Sequence, residues 1–158
     1  MKKTFILGLG AQKCGTTWLY AYLEQNKNFS SGLLKEYHIW NATDNGLFKN
    51  KKILIPLGRR RFLKWKMQNF DGYYFDYFDS LLSKEKNITA DICPGYLGLS
   101  IERLQFIKDA FNKKNIHVKV VILARDPISR IKSAVNFMIS KKKKNQGIEN
   151  YNQDFLKI

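Results

Sequence analysis

The chain has little cysteine, and this scarcity excludes two classes of protein. Its 158 residues include two cysteines, Cys14 and Cys93, which lie far apart and form no CxxC or Cys/His cluster. Such a sequence cannot build a disulfide framework, and the spacing does not fit a structural zinc site. We therefore expect a reducing, cytoplasmic compartment.

Long hydrophobic runs are also lacking. No apolar stretch approaches the ~20 residues that span a bilayer. The start of the chain, Met1-Lys2-Lys3 before an apolar run, resembles a secretory signal, but Gly8 and Gly10 interrupt the run and Lys13 follows it. We expect a soluble protein with no membrane partner.

Acidic residues are few relative to basic ones. The chain has 13 Asp and Glu against 28 Lys and Arg, a formal net charge of +15. This excess favours an anionic partner, such as nucleic acid, anionic lipid, a polyanionic sugar or a phosphorylated cofactor, without choosing among them. The basic runs 59–61 and 141–144 carry no nucleic-acid-binding signature, which disfavours nucleic acid.

The most informative stretch is residues 5–23, FILGLGAQKCGTTWLYAYL. An apolar run predicts a buried strand, glycines 8, 10 and 15 predict a tight loop, and the spacing of apolar residues from Trp18 onward predicts a helix. A strand, a glycine-containing loop and a helix N-terminus together form an anion site, because unpaired N–H groups and the helix dipole converge there.

This stretch fits the P-loop pattern GxxxxGK[ST] except at its lysine, where Thr16 stands. The cation lies earlier in the loop, as Lys13. This displacement indicates a phosphate-like ligand other than an ordinary magnesium–nucleotide triphosphate. A glycine turn joining any strand to any helix is the alternative interpretation.

The remaining pattern predicts an α/β fold. We expect strands at 87–91 and 118–124, the latter inside a parallel sheet, and helices at 59–68, 72–83 and 100–112. Asp126 and Pro127 suit the start of a last helix. The alternation predicts a three-layer, P-loop-like domain over 1–140, with a central parallel sheet flanked by helices, followed by a polar basic tail or truncated continuation over 141–158.

Three further expectations concern local structure. Residues 41–52 are rich in turn-forming residue types and should be exposed. The helix at 100–112 should bury Ile101, Leu104, Ile107 and Phe111. The last helix should bury its apolar face, which consists of Ile128, Ile131, Val135 and Met138.

Ligands of parallel sheets bind beyond the carboxyl ends of the strands. That rule predicts that residues 13–17, 91–96 and 125–133 share one rim. Arg125 and Ser133, a guanidinium at a helix entrance and a hydroxyl near it, could bind a second phosphate. The alternative is that Arg125 caps the sheet edge and Ser133 is solvated.

Two of these segments resemble sulfotransferases that use 3′-phosphoadenosine 5′-phosphosulfate (PAPS). Residues 13–18, KCGTTW, resemble the family's 5′-phosphosulfate loop, and residues 125–133, RDPISRIKS, resemble its 3′-phosphate segment. Residues 35–38, KEYH, are similar to the segment that carries the base in the heparan-sulfate and bacterial carbohydrate branch. The resemblance covers residues 4–140.

The resemblance implies sulfuryl transfer from PAPS to a hydroxyl or amine, with a carbohydrate-like acceptor favoured, a small molecule as the other possibility, PAP as product and no metal. It implies Glu36 as catalytic base, His38 as the reserve candidate and Lys13 as the cation at the leaving phosphate. The implied PAPS-binding residues are Lys13, Cys14, Gly15, Thr16, Thr17, Trp18, Arg125 and Ser133.

The sequence departs from the family in two places. Residues 91–96, DICPGY, resemble the family's turn near the acceptor, but Ile92 stands where heparan-sulfate enzymes often have lysine. Family members usually continue well beyond the 125–133 segment, which implies a short or truncated member here. The alternatives are a P-loop kinase or NTPase, opposed by Thr16, and a non-enzymatic polyanion or nucleic-acid binder.

Overall fold

The computed structural model describes residues 2–45 and 56–155, with side chains described for 2–42 and 56–142. The chain forms two compact units, Met1–Leu123 and Ala124–Ile158. In the described residues, no helix is both long enough and apolar enough to cross a membrane.

The first unit is built on a three-stranded parallel sheet. The strands are β1 (Lys3–Gly8), β2 (Ile88–Ile92) and β3 (Ile116–Val121), in the order β2-β1-β3. Phe5 of β1 pairs with Thr89 on one side and Val118 on the other. All three strands end at the same edge, as parallel pairing requires.

Helices cover both faces of this sheet and confirm the predicted three-layer α/β fold. They are α1 (Thr16–Glu24), α2 (Trp40–Asn45), α3 (Arg59–Asn69), α4 (Tyr73–Ser80) and α5 (Ile101–Asn112). The larger core joins Phe5 and Leu7 to side chains of α3, α4 and α5, whereas the smaller core joins β2 to Tyr20 of α1. Alternate residues of β1 face the two cores, since strand side chains point to opposite faces.

The prediction that residues 118–124 form an interior strand of the sheet is wrong within the described residues. There β1 is the central strand, and β3 pairs only with β1. Val120 and Ile122 are accordingly 51% and 59% exposed. Apolar β-branched composition is shared by central and edge strands, so it does not determine strand order.

Two other local expectations are also corrected. Residues 41–45 continue α2 rather than forming an exposed turn, and Asn41 and Ala42 are buried; residues 46–52 lie outside the described part of the chain. On α5, Ile107 and Phe111 are buried and Leu104 is half-buried as expected, but Ile101 at the first turn is exposed.

The second unit contains α6 (Pro127–Phe155), which begins where the sequence predicts. The Asp126 carboxylate accepts a hydrogen bond from the Ser129 N–H at 2.7 Å, the contact of an N-cap. The helix continues past residue 141 into the predicted tail, as far as Phe155. The prediction that this helix buries an apolar face is wrong, because all four side chains of that face are exposed: Ile128, Ile131, Val135 and Met138.

Candidate active site

The loop after β1 is held in place by its neighbours at the carboxyl edge of the sheet. Leu9 N–H donates to the Val121 carbonyl at 2.9 Å, which ties the loop to the end of β3. Gly10 adopts φ +105°, and a Cβ atom there would come within 2.8 Å of the Pro94 carbonyl oxygen. Only glycine permits this conformation and this close approach. The loop is thereby packed against the turn that follows β2.

The loop leads directly into the N-terminus of α1. Gly15, at φ +93°, is the N-cap residue and supplies no side-chain cap. The first helical bond of α1 runs from Leu19 N–H to the Gly15 carbonyl at 3.0 Å. The N–H groups of residues 16–18 precede this bond and have no acceptor within the helix. The sequence predicts an anion site at these N–H groups, and Lys13 lies in the loop before them.

Lys35 is the site residue whose role the sequence did not reveal. Its ammonium donates to Thr17 Oγ1 at 3.0 Å and to Thr16 Oγ1 at 3.3 Å. It also forms an ion pair with Glu36, with Nζ and Oε1 2.7 Å apart. A second cation therefore joins the helix N-terminus to the candidate base.

Glu36 has a partner on each carboxylate oxygen. Oε1 contacts Lys35, and Oε2 lies 3.2 Å from Nε2 of His38. The hydrogen bond from His38 lowers the pKa of Glu36, with a further contribution from Lys35 that opposes the effect of burial. The side chain of Glu36 is 31% exposed, so an ionised carboxylate is held in place but stays accessible.

Buried hydrogen bonds hold the backbone on both sides of His38. Tyr37 N–H donates to Asp91 Oδ1 at 3.2 Å, and Ile39 N–H donates to the Tyr96 hydroxyl at 3.1 Å. His38 itself has φ 57°, in the left-handed region that a non-glycine residue adopts at a cost. The neighbouring hydrogen bonds offset this cost and fix the direction of the imidazole.

The acceptor at the centre of this network is Asp91, which is fully buried. The hydroxyls of Tyr74 and Tyr96 donate to its Oδ2 at 2.9 and 2.8 Å. Burial raises the pKa of Asp91 to about 6, although these hydrogen bonds favour the ionised form. Since Asp91 faces tyrosines and backbone rather than solvent, its role is to support the 36–38 segment.

Cys93 and Asn41 contact the far side of the His38 ring. The Cys93 sulfur lies 3.0 Å from Nδ1, and Asn41 Nδ2 lies 3.3 Å from the same nitrogen. The sequence assigned no role to either residue. Asn41 could not be placed because its helix, α2, was expected to be an exposed turn.

A cavity of about 500 Å³ opens beside the segment that leads to Lys35. Its lining residues are mainly apolar and aromatic, and Ser31 and Arg59 are polar. Leu33, which lines the cavity, precedes Glu36 by three residues, so their Cα atoms are at most about 11 Å apart. A pocket of this kind is a candidate binding site for a small molecule.

The predicted site residues divide between the two units. The first unit brings Thr16 and Thr17 together with Glu36 and His38 through Lys35. Cys14 and Trp18 lie on either side of the helix start, and Trp18 is 68% exposed and stacked on Tyr22.

The second unit contains Arg125 and Ser133. Arg125 is an exposed residue just before α6, and Ser133 is half-buried in the second turn of that helix. Their predicted joint role in binding a second phosphate stays a prediction.

Comparison with known proteins identifies the family. Residues 2–158 match the family described as Sulfotransferase domain. No curated protein and no solved structure gave a significant match. Because the match covers nearly the whole chain, this protein belongs to the sulfotransferase family of transferases.

Proposed function

We propose that the chain transfers the sulfuryl group of PAPS to a hydroxyl or amine acceptor, with a carbohydrate-like acceptor favoured. The observation that carries this proposal is the position of Lys35. Its ammonium contacts both threonine hydroxyls at the start of α1 and the carboxylate of Glu36. A group that binds anions and a group that accepts protons are therefore adjacent.

The donor fits the residues that are present. PAPS supplies an activated sulfuryl group on a 5′-phosphate, and it carries a second phosphate at the 3′ position. The N–H groups of residues 16–18, which have no acceptor within the helix, the Thr17 hydroxyl and the ammonium groups of Lys13 and Lys35 would provide hydrogen bonds and positive charge for the 5′ end. Arg125 and Ser133 are the proposed ligands of the 3′-phosphate.

Charge stabilisation follows from this arrangement. Negative charge develops on the 5′-phosphate as its bond to the sulfuryl group breaks. Lys35 is already held at the N-terminus of α1, and Lys13 lies in the loop before it, so these groups would stabilise that charge without rearranging solvent. Positioning and electrostatics should supply most of the catalysis, by analogy with phosphoryl transfer.

Glu36 is the proposed base. Its carboxylate is partly exposed and ionised, and each oxygen keeps a lone pair beyond its contact with Lys35 or His38. It would accept the proton from the acceptor as the acceptor oxygen bonds to sulfur. The cavity beside Leu33 is the proposed space for the acceptor, and the KEYH segment is the reason for favouring the carbohydrate branch.

The experiment is a comparison of ligands by thermal unfolding, followed by an assay. PAP without magnesium should stabilise the chain by about 2.7 kcal/mol at a hundredfold excess over its dissociation constant. ATP with magnesium and an oligonucleotide serve as the other arms. Stabilisation by ATP only with magnesium, and none by PAP, would favour an NTPase, whereas a response to the oligonucleotide alone would favour a polyanion binder. Transfer of ³⁵S from PAPS to a panel of sugars, phenols and amines then identifies the acceptor.

A further inference from the structure

The imidazole of His38 lies between a carboxylate on one side and the Cys93 thiol and Asn41 amide on the other. Its Nε2 is 3.2 Å from Glu36 Oε2. Its Nδ1 is 3.0 Å from the Cys93 sulfur and 3.3 Å from Asn41 Nδ2. All three distances are within hydrogen-bond range, and the contact between the Cys93 sulfur and Nδ1 is short for a sulfur atom.

The chemistry of the two donors determines which ring nitrogen carries the hydrogen. The Asn41 amide turns its nitrogen, a donor, toward Nδ1, which fits an accepting Nδ1 but does not fix it, because the amide oxygen Oδ1 is buried without a partner among the described residues. Cys93 is fully buried. Burial raises the pKa of its thiol, against the opposing backbone hydrogen bonds from Gly95 and His38, so the S–H group persists and points its hydrogen at Nδ1. Nδ1 is then the unprotonated nitrogen, and Nε2–H faces Glu36.

We infer that Cys93, together with Asn41, is a positioning residue that holds His38 as the neutral Nε2–H tautomer, so that the ring donates to Glu36. This inference rests on the proposed function for its catalytic meaning. His38 then has no lone pair toward an acceptor, because its accepting nitrogen faces the buried thiol. Glu36 remains as the base.

The line of cysteine, histidine and carboxylate is not a nucleophilic triad. A thiol nucleophile reacts as an accessible thiolate, whereas the Cys93 sulfur is buried and protonated. During transfer the acceptor oxygen gives its proton to Glu36 while it bonds to the sulfuryl sulfur, and the donor's phosphate leaves. The hydrogen on Nε2 stays on His38 throughout.

The test reads the tautomer directly, with no donor or acceptor present. Long-range ¹H–¹⁵N correlation of the full chain at pH 7 should give two imidazoles, because the sequence has two histidines, His38 and His117. His117→Asn assigns the signals. His38 should appear with Nδ1 unprotonated and Nε2 protonated. A protonated Nδ1 in the wild-type chain, whether from the other tautomer or from an imidazolium, overturns the inference.

Variants separate positioning from a merely structural role. Cys93→Ser keeps a hydroxyl donor and should keep the tautomer, whereas Cys93→Ala should mix the two tautomers and lower kcat about 3- to 10-fold with PAP affinity unchanged. Asn41→Asp places a carboxylate against Nδ1 and should draw a second proton onto the ring. If Cys93→Ala fails to fold, the spectra of the wild-type chain and of Asn41→Asp still show whether Nδ1 is the accepting nitrogen.

The two proposals can fail separately. If Cys93→Ala folds and shows the wild-type tautomer and kcat, the positioning role is wrong while sulfuryl transfer stands. If the Nε2–H tautomer is found but no acceptor is ever sulfated, the proposed function is wrong while the hydrogen-bond assignment stands.

Discussion

Lys35 donates a hydrogen bond to the hydroxyl of Thr17 over 3.0 Å, although eighteen positions separate the two residues. The contact exists because the backbone of β2 draws the 35–38 segment to the sheet edge: Ile92 N–H donates to the Lys35 carbonyl at 3.1 Å. The same ammonium forms the ion pair with Glu36. The predictions below begin with this lysine.

Lys35→Met should weaken PAP binding by about tenfold to a hundredfold, because a charge-assisted contact is worth roughly 1.5–3 kcal/mol. His38 and then Lys35 hold the pKa of Glu36 low, so losing the lysine should raise that pKa. The acidic limb of the kcat profile should move to higher pH. Calorimetric titration checks the affinity and the pH profile checks the shift, with the exposed Lys27→Met as control. If neither the affinity nor the profile changes, Lys35 does not take part in the site.

Glu36→Gln should lower turnover by about a hundredfold or more while PAP affinity stays within about twofold, because the carboxylate serves the acceptor. His38→Ala should cost less, since the ring acts through Glu36. Because the hydrogen bond from His38 lowers the pKa of Glu36, the acidic limb of the wild-type profile should lie at lower pH than an ordinary glutamate would give. Loss of turnover in His38→Ala with near-normal Glu36→Gln would make the histidine the base.

Arg125→Ala should weaken PAP about tenfold to a hundredfold but leave adenosine 5′-phosphosulfate nearly unchanged, since that ligand lacks the 3′-phosphate. Titration of both ligands into both proteins measures the difference. Lys142→Ala, which removes an exposed positive charge elsewhere on α6, is the matched control. Equal losses for the two ligands would show that Arg125 does not contact the 3′ end.

Asp91→Asn should change how stability depends on pH. The folded chain holds this proton up to pH about 6, whereas the unfolded chain loses it near pH ~4. The folded state therefore binds more protons in that window, and the wild-type free energy of unfolding should fall with rising pH relative to the variant, by roughly 3 kcal/mol in total. Urea denaturation from pH 4 to 7 measures this, with the exposed Asp71→Asn as control; a pH-independent difference would mean that Asp91 titrates normally.

Local sequence determined most of the secondary structure. The apolar run before Gly8 forms β1, and the pair Asp126-Pro127 starts α6, because these signals act within one or two turns of the chain. The order of strand, glycine loop and helix start was likewise predictable, and it leaves the N–H groups of residues 16–18 without an acceptor inside the helix, where the anion site stays a prediction.

Strand order and the faces of helices were decided only by tertiary structure. The apolar strand predicted inside the sheet became β3 at the described edge, and Ile101 is exposed although its spacing suits a buried face. Composition and periodicity show that a residue can be buried, but the partners that bury it come from distant segments.

The candidate site also combines residues that the sequence suggests with contacts that only the tertiary structure reveals. Glu36 and His38 were proposed from the sequence because of their residue types and a family resemblance, and their catalytic roles stay predictions. The hydrogen bonds of Lys35 to the threonines, and the contact of Cys93 with His38, join residues 18 to 55 positions apart. Parallel pairing of β1 with β2 brings these segments to one edge, and no local pattern of residues encodes that meeting.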